Sequence, residues 1–174
     1  MEILLDKKAI DTTISDLAAR INRDYQGKAL IVIGVLKGSI FFVSDLLRKI
    51  LVSVELDFLE ISSYEGRQSR GTVCVVKDIG MNIKNRDVLV VEDLIDTGVT
   101  LSEVKKLLLA RKPRSLKIAV LLDKPAGRKV EIQADYVGKV IPDVFVVGYG
   151  HDFNGQYRNL PEIRVLEESQ HTYE

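Results

Sequence analysis

The sequence has a single cysteine, Cys74, so no disulfide can form within the chain. No apolar run approaches the roughly 18 residues that would indicate a membrane-spanning helix. Glu2 and Asp6 closely follow Met1, where a secretory signal would carry a basic and then an apolar segment, so we expect a cytoplasmic setting. The 25 basic and 25 acidic residues cancel, whereas a general nucleic-acid binder should carry a basic excess. The sequence therefore predicts no nucleic-acid and no membrane partner.

Two local features each allow two interpretations. Cys74 lies in the apolar stretch TVCVV, where a small core residue is favoured over a reactive nucleophile. The one dense basic run, KKLLLARKPRSLK at 105–117, straddles a predicted helix end and a turn. Cations near a helix C-terminus interact favourably with the helix dipole, and this explanation is favoured over a nucleic-acid patch.

Hydrophobic patterning predicts one α/β domain, and 174 residues suffice to bury a full core. Residues 9–25 place apolar side chains on one helical face, whereas ALIVIGVL is the continuous apolar run expected of a strand buried on both faces. In chain order we predict a helix at 9–25, a strand at 29–36, a helix at 39–50, strands at 52–62 and 87–93, a helix at 101–111, and strands at 115–125, 135–141, 144–150 and 162–168. This alternation predicts a mainly parallel twisted sheet flanked by helices.

Four polar turns follow predicted strands, at 36–39, 92–100, 123–125 and 148–152. In parallel α/β sheets, ligands bind beyond the carboxyl ends of the strands. We therefore expect these turns to form one site.

The turn at 96–100, DTGVT, combines features of a phosphate site with nearby negative charge. It offers successive N–H groups, a glycine and two threonine hydroxyls, which can hold one phosphate monoester. Neither GxxxxGK[ST] nor GxGxxG occurs, and the turn has no lysine to clamp a polyphosphate. Glu92 and Asp93, just upstream, suit sugar hydroxyls and a hydrated Mg²⁺. The alternative is a solvated strand end followed by an ordinary helix cap.

Five segments resemble the motifs of phosphoribosyltransferases and, together, those of the hypoxanthine-guanine phosphoribosyltransferases. VLVVEDLIDTGVTL resembles their phosphoribosyl pyrophosphate motif, VIGVLKGSIFF the pyrophosphate loop, EISSY the start of the mobile lid, LLDKP the purine-contacting lysine strand, and IPDVFVVGYGHDFNGQYRNLPEI the purine pocket with the C-terminal metal–pyrophosphate segment. The match runs in family order over roughly residues 30–166. It implies one type I phosphoribosyltransferase-like domain over residues 1–174, with a small hood formed by the terminal segments.

The resemblance implies a role for each matching residue. Asp96 would be the catalytic acid–base group, facing N7 of the purine while N9 attacks the anomeric carbon. The implied substrate-binding residues are Lys37, Gly38, Ser63, Tyr64, Glu92, Asp93, Thr97, Gly98, Val99, Thr100, Lys124, Phe145, Val146 and Arg158. The implied Mg²⁺-binding residues are Glu92, Asp93 and Asp152.

The backbone and hydroxyls of the turn at 96–100 would hold the 5′-phosphate, and Glu92 and Asp93 would lie beside the ribose hydroxyls. Lys37, Gly38 and Arg158 would meet the pyrophosphate. In this family the peptide before the pyrophosphate-loop lysine can be cis.

Base selection would depend on Lys124, because an ammonium only donates hydrogen bonds and can serve a 6-oxo purine but not the 6-amino group of adenine. Without the surrounding motif, a lysine at a strand end would be read as a solvated surface residue. Phe145 would stack on the base, and Val146 would contact its edge through main-chain atoms. Core packing remains the competing interpretation for both.

The implied activity converts hypoxanthine or guanine and phosphoribosyl pyrophosphate into IMP or GMP and pyrophosphate, with Mg²⁺, in purine salvage. The implied assembly is a homodimer or homotetramer. A xanthine- or adenine-preferring relative is an alternative that Lys124 and the full C-terminal segment disfavour. A regulatory protein that binds the same ligand is a second alternative; it would more naturally carry a DNA-binding extension, and it could lose the acid at Asp96.

Two places depart from the family pattern. His151 occupies a position where the family more often has an aliphatic residue, and an incidental loop histidine is favoured over a catalytic one. The predicted lid adds Arg67 and Arg70 after Tyr64. A cationic lid that closes over pyrophosphate and a disordered basic loop both remain open interpretations.

Overall fold

A computed structural model describes residues 1–63 and 73–167. Its elements are β1 (Glu2–Leu5), α1 (Lys7–Asp24), β2 (Ala29–Leu36), α2 (Ile40–Leu47), β3 (Ser53–Ser63), β4 (Val73–Lys77), β5 (Asp87–Ile95), α3 (Val99–Leu109), β6 (Ser115–Asp123), a 3₁₀ turn (Pro125–Gly127), β7 (Tyr136–Val140), β8 (Val146–Val147) and β9 (Ile163–Val165). Tyr64, Arg67 and Arg70 of the predicted lid lie outside the described residues.

The central sheet has six strands in the order β4-β3-β2-β5-β6-β7. The pairs β2–β3, β2–β5, β5–β6 and β6–β7 are parallel, and only the edge pair β3–β4 is antiparallel among the described strands of this sheet. The predicted mainly parallel sheet is therefore confirmed, and the three continuous apolar runs, β2, β5 and β6, are its central strands.

Alternate residues of these central strands enter two separate cores, one on each face of the sheet. Leu30 and Val32 join the core under α1 and α2, whereas Ile31 and Ile33 join the core under α3. Because successive strand side chains point to opposite faces, only a run apolar at every position can fill both layers.

The start of α1 and the start of α3 each have a local cause in the residue that precedes the helix. Asp6 caps α1 by accepting a hydrogen bond from the backbone N–H of Ala9 at 2.7 Å, so the helix starts two residues before the predicted position. Gly98 precedes α3 with φ +79°, a conformation that favours glycine, and the helix starts at once at Val99. None of the helices in the described ranges is long and apolar enough to cross a membrane.

A second, three-stranded sheet in the order β1-β9-β8 is built from the two ends of the described chain. Both of its pairings are antiparallel, and β1 aligns Glu2 with Val165. This small sheet is the hood that the family resemblance implied, and the predicted fold class is confirmed with it.

The interpretation of Cys74 as a core residue is wrong. Cys74 is exposed on β4, the edge strand of the central sheet. Its neighbours Val75 and Val76 are also exposed, at 40% and 59%. An apolar stretch fills a core only where both faces of its strand are covered, and β4 is not covered in that way.

Carboxylates pair with several cations of the basic run at 105–117. Lys106 pairs with Glu103 at 2.7 Å, and Arg111 pairs with Asp78 at 2.6 Å. Helix α3 ends at Leu109, two residues before the predicted end. These pairings partly neutralise the run and weaken the nucleic-acid interpretation further.

Asp87, at the start of β5, should make the stability of the fold depend on acid pH. Its buried carboxylate accepts hydrogen bonds from Arg114 Nε at 3.0 Å and Ser115 Oγ at 2.6 Å. Arg114 in particular lowers the pKa of Asp87 from 3.8 to about 2. A depressed pKa contributes stability above the unfolded pKa, here about 2 kcal/mol, which is lost as the pH falls from about 4 towards 2.

In urea unfolding, the free energy of unfolding of Asp87→Asn should therefore be about 2 kcal/mol below that of wild type at neutral pH. This difference should become smaller below pH ~4. Asp78→Asn is the matched control, because Asp78 also accepts two hydrogen bonds from an arginine but its side chain is 51% exposed. Solvent screening should limit its effect to about 1 kcal/mol or less. A gap for Asp87→Asn that stays constant down to acid pH would contradict the assignment.

Candidate active site

The predicted site turns meet at one edge of the central sheet. Strands β2, β5 and β6 are neighbours and parallel, so their carboxyl ends lie side by side. The loop after β8 folds back against the loop after β2. A Cβ added to Gly150 would lie 2.0 Å from the carbonyl oxygen of Gly38.

The phosphate-like turn after β5 surrounds a small cavity. The cavity has a volume of about 110 Å³ and is lined by Glu92, Leu94, Ile95, Asp96, Thr97, Gly98, Thr100 and Leu101. Val99 N donates to Thr97 Oγ1 at 3.4 Å at the start of α3, and Ser102 N donates to the carbonyl oxygen of Gly98 at 2.9 Å, which closes the first turn of the helix. Gly98 is required for space as well as for its φ, because a Cβ there would lie 2.5 Å from the Ile132 side chain.

Asp96 and Lys124 are in direct contact. Lys124 Nζ lies 2.8 Å from Asp96 Oδ2, 3.3 Å from Asp143 Oδ1 and 3.4 Å from the carbonyl oxygen of Val144. The Lys124 side chain is only 8% exposed, whereas that of Asp96 is 43% exposed. Lys124 is thus not the solvated surface lysine that a strand end alone would suggest.

Three oxygens surround the buried ammonium of Lys124 and keep it charged. Burial by itself lowers the pKa of Lys124, but hydrogen bonds and negative charge from Asp96 and Asp143 outweigh burial and raise it. The lysine therefore presents donors only, as the base-selection hypothesis requires.

Phe145 and Val146 differ sharply in exposure. Phe145 is 42% exposed, and its ring meets that of Phe153 edge-on with centroids 5.7 Å apart. Val146 is buried and belongs to the core beneath α1 and α2. An exposed ring at the site rim can stack on a base, whereas the Val146 side chain packs in the core and leaves only its main chain for a ligand.

Glu92 and Asp93 lie at the end of β5 beside the pyrophosphate loop. Glu92 is 9% exposed, and burial, reinforced by the negative charge of Asp93, raises the pKa of its carboxyl well above the ordinary value. Asp93 packs directly on Gly38, where an added Cβ would lie 1.9 Å from Asp93 Oδ2. The peptide between Leu36 and Lys37 is cis, and the Lys37 side chain is 68% exposed, 3.7 Å from Glu60.

Asp152 and Arg158 form an ion pair in the loop after β8. Arg158 Nη2 lies 2.7 Å from Asp152 Oδ1, and Arg158 Nη1 donates to the carbonyl oxygen of Gly150 at 2.5 Å. Asp152 Oδ2 also accepts from Gly155 N at 2.7 Å. These bonds close the loop, and its Gly150 packs against Gly38.

His151 points inward. Its ring is 5% exposed, and Nδ1 lies 2.9 Å from the carbonyl oxygen of Gly148, so Nδ1 carries the donated hydrogen. Nε2 is 3.6 Å from Asp93 Oδ2 and has no hydrogen-bond partner within the described residues. The departure from an aliphatic residue thus places a polar atom beside a predicted ribose- and metal-binding carboxylate.

The carboxylates at this edge match the type of donor that Mg²⁺ prefers. Across residues 1–63 and 73–167, no three His, Cys, Asp or Glu side chains converge on one point. Mg²⁺ usually keeps several waters and is bound through one or two carboxylates together with substrate phosphates. Glu92 and Asp93 on one side, and Asp152 on the other, are oxygen donors of this kind.

Of the predicted residues, all but Ser63 and Tyr64 come together around this edge with described side chains. Ser63 ends β3 and pairs there with Val73, and Tyr64 lies outside the described residues. Sequence reasoning missed Asp143 and Arg128. Asp143 sits in the quoted purine-pocket motif and contacts Lys124. Arg128, four residues after Lys124, carries no local pattern that would have marked it.

Comparison with known proteins identifies the family. The phosphoribosyl transferase domain family matches residues 1–154 of the chain. A hypoxanthine-guanine phosphoribosyltransferase of Staphylococcus aureus is 49% identical over 166 residues, which are 95% of this chain and 93% of the relative.

Solved structures agree with this match. A crystal structure of a hypoxanthine phosphoribosyltransferase from Staphylococcus aureus aligns with a TM-score of 0.95 and 47% identity, covering 99% of this chain and 95% of that one. A hypoxanthine-guanine phosphoribosyltransferase of Bacillus anthracis, with HEPES in its active site, aligns with a TM-score of 0.92 and 44% identity, covering 96% and 99%. This chain belongs to the phosphoribosyl transferase domain family and, within it, to the hypoxanthine-guanine phosphoribosyltransferases.

Proposed function

We propose that this protein transfers the 5-phosphoribosyl group from phosphoribosyl pyrophosphate to N9 of hypoxanthine or guanine, giving IMP or GMP and pyrophosphate for purine salvage. The contact between Asp96 and Lys124, 2.8 Å long, carries the proposal. It joins the phosphate turn after β5 to the end of β6, where the base is expected. One site can therefore hold an activated ribose and a 6-oxo purine together.

The ribose half of the substrate would lie over the end of β5. The N–H groups and hydroxyls of Thr97, Gly98, Val99 and Thr100 bind the 5′-phosphate at the start of α3, where the helix dipole favours an anion. Glu92 and Asp93 accept hydrogen bonds from the ribose hydroxyls. Neutral donors thus hold the phosphate, and the acids are left for the sugar.

The pyrophosphate would lie between the loops after β2 and β8. Gly38 lets the backbone approach the pyrophosphate closely because it has no side chain. Asp93 fills the space that a side chain at this position would need. Lys37 and Arg158 supply positive charge, and the planar guanidinium of Arg158 suits a multidentate anion. Ser63 and Tyr64 would contribute from the lid.

Base recognition would depend on the three groups at the end of β6 and the start of β8. Lys124 donates to the 6-oxo group, and the exposed ring of Phe145 stacks on the purine. The main chain at Val146 contacts the base edge. With adenine, the ammonium would face the amino group, which is another hydrogen-bond donor. A site of this kind discriminates against such a substrate by a large factor in kcat/KM.

Catalysis would proceed by proton transfer at N7 and charge stabilisation at the sugar. As the base enters, Asp96 leaves its contact with Lys124 and contacts N7 of the purine instead. It holds the proton from N7 while N9 bonds to the anomeric carbon. Glu92 and Asp93 stabilise the positive charge that develops on the ribose ring. Arg158 stabilises the departing pyrophosphate.

Mg²⁺ is the proposed cofactor. Glu92 and Asp93 would hold it beside the ribose hydroxyls, directly or through water, and Asp152 would hold a second ion beside the pyrophosphate. When bound, the metal supplies positive charge that neutralises the pyrophosphate as it leaves. Residues 1–174 would act as one domain, in a homodimer or homotetramer.

A pyrophosphate-release assay with hypoxanthine, guanine, xanthine and adenine offered separately tests the function. We expect turnover with hypoxanthine and guanine, and strong discrimination against adenine, because Lys124 can only donate hydrogen bonds. Omitting phosphoribosyl pyrophosphate provides the background rate. No turnover with any base would refute the proposed activity, and a fast adenine rate would refute the role of Lys124.

A further inference from the structure

Three consecutive carbonyl groups of the phosphate turn are bound by the segment that follows β6. Lys124 N donates to the carbonyl oxygen of Ile95 and Lys129 N donates to that of Thr97, each at 2.9 Å. Between these two, the carbonyl oxygen of Asp96 accepts a hydrogen bond from Arg128 Nη1 at 2.6 Å. The turn is thus held from one side at three successive peptides.

This arrangement orients the N–H groups on which phosphate binding depends. The only cis peptide in the described ranges precedes Lys37, so the peptides of this turn are trans. In a planar trans peptide, the carbonyl of one residue and the N–H of the next point in opposite directions. Fixing the carbonyls of residues 95–97 therefore directs the N–H groups of residues 96–98 away from the segment at 124–130.

Arg128 differs from the other two contacts because its hydrogen bond comes from a side chain. That side chain is 18% exposed, and its second guanidinium nitrogen pairs with the carboxylate of Asp123 at the end of β6. Asp123 aligns with Ile95 across the β5–β6 pair. The planar guanidinium therefore links the ends of both strands at the points from which Asp96 and Lys124 extend.

We propose that Arg128 is a positioning residue for the transfer reaction. It presets the amide of Thr97 for the 5′-phosphate of the ribose substrate. The inference rests on the proposed function and adds a residue that contacts neither the phosphate nor the base.

Arg128→Lys is the test, because a lysine keeps the charge but cannot bridge Asp96 and Asp123 with one planar group. We expect the KM for phosphoribosyl pyrophosphate to rise about 10- to 100-fold, the range for a lost hydrogen bond to a charged group. The KM for hypoxanthine should change much less, because Lys124 and the base pocket remain.

Arg114→Lys is the matched control. Arg114 pairs with Asp87 and so links the starts of β5 and β6, as Arg128 links their ends. A purely structural role for Arg128 would make both variants lower the thermal midpoint and leave both KM values unchanged. That outcome, or an equal rise in both substrates' KM for Arg128→Lys, would overturn the inference.

Asp123→Asn keeps the test decisive if Arg128→Lys does not fold. It retains the arginine but weakens its anchor, so a smaller rise confined to the KM for phosphoribosyl pyrophosphate is expected, and no rise would overturn the inference. Wild-type protein without turnover on any base would instead refute the proposed function. Active wild type with an unaffected folded Arg128→Lys would refute only the role of Arg128.

Discussion

Asp96→Asn should lower kcat by about 10²- to 10⁴-fold, the usual contribution of a positioned general acid or base. The amide matches the carboxylate in shape but cannot take up a proton from N7 at the pH of the assay. Binding of IMP should change far less, because the main-chain N–H groups of the turn remain. Single-turnover kinetics with hypoxanthine, combined with the Kd of IMP, separates the two effects.

Asp143→Asn is the control for this prediction. Asp143 also contacts Lys124, at 3.3 Å, and its side chain is 62% exposed, so the substitution removes a charge from the same ammonium without removing the proposed acid–base group. Its effect on kcat should be much smaller than that of Asp96→Asn. An unchanged kcat in Asp96→Asn, or equal losses in the two variants, would remove Asp96 from proton transfer.

Much of the fold could be predicted because local pattern and tertiary burial agree. ALIVIGVL is apolar at every position, and it occupies β2 with bounds identical to the prediction, since both faces of this strand are covered. The site followed from the same reasoning, because parallel neighbouring strands bring their terminal turns to one edge. Four of the five motifs therefore meet at this edge, although 30 or more residues separate some of them.

The misses concern contacts that no local pattern encodes. Strand β1 exists through its pairing with β9, about 160 residues away, and Cys74 is exposed because β4 lies at the sheet edge. Arg128 acquires its position from the carbonyl of Asp96 and the carboxylate of Asp123. Periodicity reports which side chains are buried, but it does not report which distant polar group a buried charge will meet.

The burial of His151 is another feature that no local sequence pattern encodes. The sequence identified His151 as a departure, and a loop histidine beside Asp152 suggested an incidental residue. Its burial beside Asp93 follows from the left-handed turn around it, where Gly148 and Gly150 have φ of +90° and +102° and fold the ring inward. Such a turn depends on contacts with Gly38 that lie far away in sequence.

Lys124→Ala should lower the selectivity for hypoxanthine over adenine by about 100-fold or more. A site built to hydrogen-bond a substrate group typically rejects an analogue without it by about 10⁴- to 10⁵-fold, and Lys124 is the proposed partner of the 6-oxo group. Removing the ammonium removes both the attraction to that oxygen and the clash of donors with the adenine amino group. The ratio of kcat/KM values for the two bases measures the change directly.

The companion variants of Lys124→Ala separate selectivity from general damage. Lys129→Ala removes an exposed lysine from the same segment and should leave the ratio of kcat/KM values as it is in wild type. Lys124→Met keeps most of the side-chain volume, so a loss of selectivity shared by the alanine and methionine variants must come from the missing ammonium. If both variants retain full discrimination against adenine, the selecting group lies elsewhere, and the exposed rim around Phe145 becomes the next place to look for it.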